Sequence, residues 1–375
     1  MEKAKVYYTD FRTSLDENQL QKLARLMATA GMDTMELEGK YVAIKMHFGE
    51  PGNLAYLRPN YARAVADFVR SCGGRPFLTD CNTLYVGGRK NALDHLDAAN
   101  VNGFNTVTTG CQILIADGLK GTDDVAVPIR GGVYLKQARI GRAVMDADAV
   151  ISLNHFKCHE NTGFGGAMKN LGMGCGSRAG KMAMHSAGKP TIDEALCVGC
   201  GSCARVCAHG APILSDGKTR IDHGKCVGCG RCLGVCPVDA VLPASDESFD
   251  ILNAKIAEYT KAVVDGRPQF HITLVNAVSP NCDCHAENDA PIVPDVGMFA
   301  SFDPVALDQA CIDAVNAQPR LRGTWIDDRG DPSIADHLTA AHPTTNWRSQ
   351  ISHAVRIGLG TDQYELIRIL ARRRR

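Results

Sequence analysis

The sequence has no excess of charge of either sign, because its 41 lysines and arginines balance its 41 aspartates and glutamates. This balance gives no general reason to expect a nucleic-acid or anionic-membrane partner. The basic tail at residues 372–375 is a local exception, which we interpret as a solvated chain end. No apolar run approaches the roughly 20 residues that a membrane-spanning helix needs. A membrane partner is therefore not expected.

Targeting and nucleotide-binding signals are also missing. The first residues, MEKAKVYYTDF, contain neither a long apolar stretch nor a small-residue cleavage site. We therefore expect a soluble cytoplasmic protein, with export on a partner protein as the alternative. No G-x-G-x-x-G follows a predicted strand, which argues against a nicotinamide-linked oxidoreductase. A flavin remains an open alternative, because flavins can bind without a sequence motif.

Cysteine, by contrast, is abundant, with 16 residues in a chain of 375. In a reducing cytoplasm these thiols favour metal ligation over disulfides. The phrase CVGCGSCARVCA at 197–208 returns as CVGCGRCLGVCP at 226–237. Each copy has the spacing C-x2-C-x2-C-x3-C, which is typical of bacterial ferredoxins. The repeat predicts two [4Fe–4S] clusters, and structural zinc is the alternative that CxxC pairs leave open.

The fourth cysteine of each run is expected to ligate the other cluster, as in two-cluster ferredoxins. One cluster is therefore assigned to Cys197, Cys200, Cys203 and Cys236. The other is assigned to Cys226, Cys229, Cys232 and Cys207. The second run is followed by Pro237 and the first by Ala208, a departure that removes no ligand. Two neighbouring clusters form an electron conduit.

Strand and helix patterns alternate on both sides of the repeat. Strands are predicted at Tyr41–Met46, in RPFLTDC, at Ala149–Leu153 and in FHITLVNAV. Helices are predicted in NYARAVADFVRSCGG, in AKIAEYTKAVVDG and in SFDPVALDQACIDAV, the last with Asp303 as its cap. The pattern predicts an α/β body with a mostly parallel sheet covered on both faces. This body spans 1–188 and 243–375, with a bacterial-type ferredoxin module inserted at 189–242.

Polar loops follow the predicted strands, at the edge where open α/β sheets bind ligands. These loops contain the candidate catalytic residues Lys45, His47, His155, Lys157 and Lys169. They would position, polarise or protonate a small anionic or carbonyl-bearing ligand, and a solvated charge or a hydrogen-bonded histidine is the alternative. Backbone N–H groups at Gly163, Gly165 and Gly166 would bind an anion, with a structural turn as the alternative.

The segment CDCH at 282–285 places two thiols and an imidazole within four residues. With a distant cysteine it would form a third metal site, for which the ligands suit zinc or iron. That site would consist of Cys282, Cys284, His285 and Cys175, with Cys158 as the alternative fourth ligand. Redox-active thiols or a buried turn are the alternative interpretations. The isolated residues Cys72, Cys81, Cys111 and Cys311 are predicted to be packing residues.

Several longer segments follow one another in a characteristic order. They are NHFKCHENTGFGGAMKNLGMGC, GKMAMHS, the doubled cysteine phrase and NCDCHAENDAPIVPDVGMFASFDPVALDQA. Together they resemble the DUF362 family over roughly residues 40–315, and more narrowly its ferredoxin-containing bacterial and archaeal members. The resemblance implies this architecture and [4Fe–4S] cofactors. It implies no reaction, since the family is named as a domain of unknown function.

Three functions are compatible with these patterns. An iron–sulfur oxidoreductase would pass electrons through two clusters to a small ligand bound in a cleft of the α/β body. A dedicated electron-transfer protein would dock a partner enzyme and have no substrate of its own. A metal or cofactor handling factor would use the CDCH segment as its transfer site. A redox partner protein is expected as well.

Overall fold

The structure of the protein is a computed structural model that describes residues 3–85, 87–185, 189–243 and 248–370. The basic tail at 372–375 lies outside the described residues. Within these ranges, no helix is both long enough and apolar enough to cross a bilayer.

The strands and helices follow the chain in a mixed order. The strands are β1 (Ala4–Thr9), β2 (Tyr41–Lys45), β3 (Arg75–Asp80), β4 (Gln112–Ile115), β5 (Asp124–Pro128), β6 (Gln137–Gly141), β7 (Ala149–His155), β8 (Lys157–His159), β9 (Gly163–Gly165), β10 (Pro190–Ile192), β11 (Pro212–Ser215), β12 (Lys218–Ile221), β13 (Val241–Pro243), β14 (Gln269–Val275), β15 (Gly297–Ser301) and β16 (Tyr364–Arg368). The helices are α1 (Gln19–Thr29), α2 (Pro59–Ser71), α3 (Ala92–Val101), α4 (Thr106–Thr109), α5 (Arg142–Asp146), α6 (Ala167–Cys175), α7 (Arg178–His185), α8 (Ser202–Val206), α9 (Arg231–Gly234), α10 (Phe249–Val264), α11 (Pro304–Asn316), α12 (Trp325–Asp328), α13 (His337–Ala341) and α14 (Arg348–Arg356). A short 3-10 helix spans Met32–Met35.

A large sheet organises the body, with eight strands in the order β16-β1-β15-β14-β7-β2-β3-β4. The strands from β14 to β4 run parallel to their neighbours. β15 is antiparallel to both β14 and β1, and β16 is parallel to β1. The predicted α/β fold with a mostly parallel sheet is therefore confirmed.

Apolar side chains cover both faces of this sheet, because successive residues of a strand point to opposite sides. In β7, Ile151 and Leu153 pack into a core that also contains buried residues of α1 and α2. Val150, which precedes Ile151, packs on the other side against buried residues of α6 and α10. Because both faces of β7 are buried, its sequence is a mostly apolar run and does not alternate between apolar and polar residues.

The predicted elements are present with small shifts at their ends. β7 continues two residues beyond the predicted Leu153, because Asn154 and His155 still pair with β14. Helix α11 begins as expected, with the Asp303 carboxylate accepting from the backbone N–H groups of Val305 and Ala306 at 2.8 and 3.0 Å. The extension of β7 places His155 on the sheet itself rather than in a loop.

The segment 189–243 contains two short hairpin-like pairs and two short helices. β11 pairs with β12, while β10 pairs with β13 and brings Pro190 opposite Pro243. The two ends of the segment therefore lie side by side. Helices α8 and α9 each follow a glycine in the left-handed region, Gly201 at φ 70° and Gly230 at φ 69°. The repeated sequence thus adopts a repeated backbone, and only glycine takes this conformation at little cost.

Candidate functional site

Two small cavities lie in the segment 189–243, and cysteines line both of them. The first is lined by Cys197, Cys200, Cys203 and Cys236. The second is lined by Cys207, Cys226, Cys229 and Cys232. Each cavity therefore takes three cysteines from one run and the last cysteine from the other run. This grouping is the one that two-cluster ferredoxins use.

Backbone N–H groups approach cysteine sulfurs at equivalent positions of the two repeats. The N–H of Ala211 donates to Cys207 Sγ at 3.4 Å, and that of Ala240 donates to Cys236 Sγ at 3.2 Å. Each donor lies four residues after its cysteine. Hydrogen bonds to the cysteine sulfurs are among the features that set the potential of a bound iron–sulfur cluster.

A larger cavity of about 450 Å³ opens beside the carboxyl ends of β2, β3 and β7, which are neighbours in the sheet. It is lined by all five candidate catalytic residues, Lys45, His47, His155, Lys157 and Lys169. It is also lined by Cys282, Cys284, His285, Gly165 and Gly166. These side chains converge because the loops that follow adjacent parallel strands meet at one edge of the sheet.

Lys45 lies at the bottom of this cavity, and its ammonium group is fully engaged. Its Nζ lies 3.0 Å from Asp80 Oδ1 and donates to Asn170 Oδ1 at 2.7 Å and to the Met46 carbonyl at 3.3 Å. Three acceptors match the three N–H bonds of an ammonium group. Burial opposes the charge of Asp80, but Lys45 together with the neighbouring His95, His47 and Lys181 outweighs burial and holds the pKa of Asp80 below its usual range. Lys45 is therefore placed to organise the cavity floor rather than to bind a ligand.

His47 sits between N–H donors. Arg89 Nη1 lies 2.8 Å from its Nε2, and the Gly49 N–H donates to its Nδ1 at 3.0 Å. Arg89 is itself held by Glu50, with Nε 2.7 Å from Oε2. Desolvation by the surrounding protein, followed by the charge of Arg89, lowers the pKa of His47 well below its ordinary value. A histidine kept neutral in this way is better suited to accept a hydrogen bond than to donate a proton.

Asp283 ties together the two candidates on β7 and β8. Its carboxylate lies 2.9 Å from His155 Nδ1 and 3.1 Å from Lys157 Nζ. His155 Nε2 lies 2.8 Å from the Asn276 carbonyl, so both of its ring nitrogens are in use. Lys157 also donates to the His155 carbonyl, which leaves one of its three N–H bonds for the cavity. His155 therefore positions its neighbours, whereas Lys157 can reach a ligand.

The thiols of the CDCH segment face Lys169. Lys169 Nζ lies 3.4 Å from Cys282 Sγ. A hydrogen bond from Cys284 lowers the pKa of Cys282 well below its usual range; burial opposes this shift and Lys169 reinforces it. Burial disfavours the charge of Lys169, but Cys282, Cys284 and Glu160 outweigh burial and raise the pKa of Lys169. These surroundings thus favour the charged forms of both Cys282 and Lys169.

A compact group of three metal-ligating side chains lies in the same wall. His159, Cys282 and Cys284 each offer one ligand atom, and these atoms lie within 4.8 Å of one another. Cys175 instead packs in a buried apolar cluster. His285 lines the cavity, but its Nε2 lies 3.0 Å from a glutamate oxygen. The geometry therefore groups the two cysteines with His159 rather than with His285 and Cys175.

The glycine-rich loop is closed by an internal carboxylate. The N–H groups of Ala167 and Met168 donate to the two oxygens of buried Asp308 at 2.7 and 2.9 Å. Gly163 packs against Trp347, because a Cβ at Gly163 would lie 2.7 Å from the Trp347 Cβ. The N–H groups bonded to Asp308 directly follow the predicted glycines, and Gly163 and Gly165 pair with His159 and Lys157 between β9 and β8. Anion binding by the glycine N–H groups stays a prediction.

The loop after β3 contributes residues that the sequence reasoning missed. Arg89, Tyr85 and, from α7, His185 all line the cavity. Tyr85 Oη lies 3.0 Å from His185 Nδ1. The position of Tyr85 and Arg89 in the sequence could have indicated them, because the loop after β3 begins at the same edge of the sheet as the loops after β2 and β7. His159 was visible in the sequence next to Glu160, but nothing local marked it as a partner of CDCH.

An apolar cluster connects the cysteine cavities to the larger cavity. Its buried members are Leu84, Met182, Cys203, Leu233 and Val241. Cys232 and Cys236, one from each cysteine cavity, pack against it. Leu84 also lines the larger cavity. All three cavities therefore border one apolar wall.

The fold and site describe an α/β protein with a polar cavity at the strand ends and a group of side chains suited to a metal. The chain belongs to the family described as "Domain of unknown function (DUF362)", whose profile matches residues 42–313. A thylakoid-associated protein of Synechocystis sp. is 28% identical over 154 residues, which cover 39% of this chain and 42% of that protein. The match thus spans less than half of that relative's length.

Two solved structures show a distant likeness. The lactate racemase apoprotein of Thermoanaerobacterium thermosaccharolyticum aligns with a TM-score of 0.35 and 13% identity, over 73% of this chain and 51% of that one. A protein of Thermotoga maritima aligns with a TM-score of 0.33 and 11% identity, over 75% of this chain and 55% of that one. The chain therefore spans about half the length of each.

Proposed function

We propose that this protein is an iron–sulfur redox protein of the ferredoxin-containing branch of DUF362. Residues 189–242 form a bacterial-type ferredoxin module that holds two [4Fe–4S] clusters. The module is inserted into an α/β body made of residues 1–188 and 243–375. The observation that carries this proposal is the pair of small cavities, each lined by three cysteines of one run and the fourth of the other. When bound, such clusters exchange single electrons.

The electrons pass to a small anionic or carbonyl-bearing ligand in the larger cavity. Its volume of about 450 Å³ falls within the roughly 300–1,000 Å³ that is usual for small-molecule sites. A dedicated carrier without a substrate has no need of such a cavity. The apolar cluster that contains Leu84 and Met182 supports a short electron-transfer route between the cysteine cavities and the larger cavity. Leu84 borders the larger cavity, and Cys203 and Cys236 contact the same apolar cluster.

Each lining residue has a role that follows from its contacts. Lys157 and Lys169 stabilise the negative charge that builds up when electrons enter a ligand. Lys45 and His155 act as positioning residues, since their polar atoms are engaged by protein groups. His47 and Arg89, which contact each other at 2.8 Å, both line the cavity and shape the part of it in which the ligand is oriented.

A redox partner protein supplies the electrons at the module's surface. Val198 and Val227 each follow the first cysteine of their run and are 63% and 61% exposed. Exposed apolar side chains next to a redox centre suit docking of a partner.

The crossed ligation can be tested with Cys207→Ser and Cys236→Ser, each purified without oxygen. Cys207→Ser should damage the cluster held by Cys226, Cys229 and Cys232, although Cys207 belongs to the other run. Cys236→Ser should damage the opposite cluster. The readout is Mössbauer and electron paramagnetic resonance spectroscopy, in which two magnetically interacting reduced clusters should give way to one isolated cluster.

Cys72→Ser provides the matched control, because Cys72 lies outside both cysteine cavities and should leave both clusters intact. Spectra in which each variant loses the cluster of its own run would contradict the crossed assignment. Wild-type protein that takes up no iron on anaerobic reconstitution would overturn the redox function itself.

A further inference from the structure

The wall of the larger cavity contains His159, Cys282 and Cys284, whose ligand atoms lie within 4.8 Å of one another. His159 and Cys282 are buried, and Cys284 is partly buried. All three line the cavity of about 450 Å³. They are distinct from the eight cysteines that line the two smaller cavities. This group therefore has no part in holding the clusters.

The backbone holds these donors in place from two sides. His159 ends β8, where it pairs with Gly163 of β9. Cys282 and Cys284 lie in a tight turn closed by the bond from His285 N–H to the Cys282 carbonyl at 3.1 Å. Asp283, between the two cysteines, is anchored by ion pairs at 2.9 and 3.1 Å on the body side of the turn. With Asp283 fixed inward, both sulfurs are turned towards the cavity.

The carboxylate of Glu160 lies next to the His159 ring. Within the described part of the chain, no group donates a hydrogen bond to the buried Glu160 Oε2, which lies 3.5 Å from His159 Nδ1. In the present state that nitrogen also accepts from the backbone N–H groups of Asn161 and Thr162, at 3.1 and 3.3 Å. If Nδ1 carried the proton instead, it would supply the donor that Oε2 lacks. Nε2 would then be free to bind a metal, the arrangement in which a carboxylate orients a ligating histidine.

We propose that His159, Cys282 and Cys284 bind one divalent metal ion, zinc or iron, whose fourth coordination position opens into the cavity. Two thiolates and one imidazole match the preference of these ions for mixed sulfur and nitrogen ligands. Three protein ligands with an open fourth position are typical of catalytic rather than structural sites. The metal would bind the oxygen of a carbonyl or carboxylate ligand directly.

Charges around the group fit this assignment. Two thiolates neutralise a divalent ion, and Lys169 Nζ, 3.4 Å from Cys282 Sγ, can donate to a metal-bound sulfur. Glu160 balances the charge of Lys169 in the same wall. The resulting site would polarise a ligand next to Lys157 and Lys169, where electrons from the clusters are needed. In this respect the inference deepens the proposed function, but metal binding itself does not depend on the clusters.

Zinc provides a probe that the clusters do not obscure. Anaerobic protein with reconstituted clusters would be titrated with Zn²⁺ against a chromophoric chelator, and the bound metal examined at the zinc absorption edge. We expect about one zinc ion per chain, with two sulfurs at about 2.3 Å and nitrogen or oxygen at about 2.0–2.1 Å. No tight zinc binding, or a shell made only of oxygen and nitrogen, would overturn the proposal.

Variants identify the ligands. Cys282→Ser, Cys284→Ser and His159→Gln should each weaken zinc binding by at least about 100-fold, while Glu160→Gln, which acts through His159, should weaken it by about 10–100-fold. Cys175→Ser and His285→Gln are the matched controls, because they remove the two ligands that the sequence pattern offered. Both should retain wild-type affinity.

The iron and sulfide content of every variant reports separately on folding and on the clusters. A variant that loses zinc but keeps its clusters supports the site. Loss of zinc in Cys175→Ser to the same extent as in Cys284→Ser would refute this ligand set. In cluster-free protein the other eight cysteines can also bind zinc, so the site is there identified by zinc that Cys284→Ser loses and Cys175→Ser keeps. That difference supports the site even if the proposed redox function fails.

Discussion

The buried ion pair beneath the cavity makes a quantitative prediction. The side chains of Lys45 and Asp80 are 1% and 4% exposed, and their charged atoms lie 3.0 Å apart. Asp80→Asn keeps the shape of the side chain but leaves the Lys45 charge without its counter-charge. Removing one partner of such a buried pair costs about 3–5 kcal/mol, because an uncompensated charge stays in a medium of low polarity.

Asp67→Asn is the matched control on the outside of the same fold. Asp67 pairs with Arg63 at 2.8 Å and with Arg70 at 3.0 Å, and the first of these pairs is 47% and 50% exposed. Exposed pairs contribute at most about 1 kcal/mol each, since water and salt screen them. Removing an equal charge should therefore have a far smaller effect here than at Asp80.

The assay is urea unfolding of anaerobic protein, followed by far-ultraviolet circular dichroism. A change in the unfolding midpoint at constant slope reports stability. Iron content should stay at the wild-type value in both variants, because neither aspartate lines a cysteine cavity. Asp80→Asn costing no more than Asp67→Asn would show that Lys45 and Asp80 do not form a buried pair.

Three further predictions concern the cavity, the module and pH. Lys169→Ala and His47→Ala should leave both clusters reducible by dithionite while weakening ligand binding, and loss of a cluster in either variant would contradict the assigned roles. Gly230→Ala should lower the thermal unfolding midpoint more than Gly201→Ala. Both positions have a left-handed φ, which costs a residue with a Cβ about 1–2 kcal/mol. Only at Gly230 would the added Cβ also lie 2.8 Å from a buried arginine side chain. Burial lowers the pKa of His271 to about 3, below the value of about 6.5 in the unfolded chain. The contribution of neutral His271 to the free energy of unfolding is therefore complete above about pH 6.5, and it declines by about 1.4 kcal/mol for each pH unit below that value. His271→Gln should reduce the slope of unfolding free energy against pH by that amount between pH 7.5 and 5.5, while the other buried histidines with lowered pKa values, His47, His95 and His185, keep their own contributions.

Local patterns in the sequence were sufficient to predict the main helices and strands of the fold. The apolar run of β7 and the Asp303 cap of α11 depend on neighbours a few residues away, so both could be predicted. The end of β7 was placed two residues too early, because Asn154 and His155 are polar residues held in the strand only by pairing with β14. Pairing between distant strands leaves no local signal.

The candidate site shows the same difference between what local sequence predicts and what distant residues determine. The candidate lysines and histidines could be located because polar residues at strand ends gather at one edge of a parallel sheet. Their partners could not be predicted, since Asp80, Asp283 and Asp308 come from other parts of the chain. Lys45 and His155 consequently contact groups of the protein itself, and Asp308 accepts from the two backbone N–H groups that follow the glycine-rich loop.

The group of His159, Cys282 and Cys284 shows most clearly what the spacing of residues in a sequence cannot predict. His285 is adjacent to Cys284 in sequence, but a tight turn directs it towards Glu160. His159 is far away in sequence and lies within 4.8 Å of both sulfurs, because β8 is bonded to the segment just before that turn, with the Cys158 N–H donating to the Ser279 carbonyl at 3.0 Å. Spacing within four residues therefore indicated the two thiols but not their imidazole partner.

The central claim is that residues 189–242 hold two [4Fe–4S] clusters with crossed ligands. The most direct test is the iron and acid-labile sulfide content of protein purified without oxygen, combined with its Mössbauer spectrum. The account predicts about eight iron and about eight sulfide per chain, all in cubane clusters. Two or more zinc ions per chain without sulfide would contradict it, because the two cysteine cavities would then be structural zinc sites.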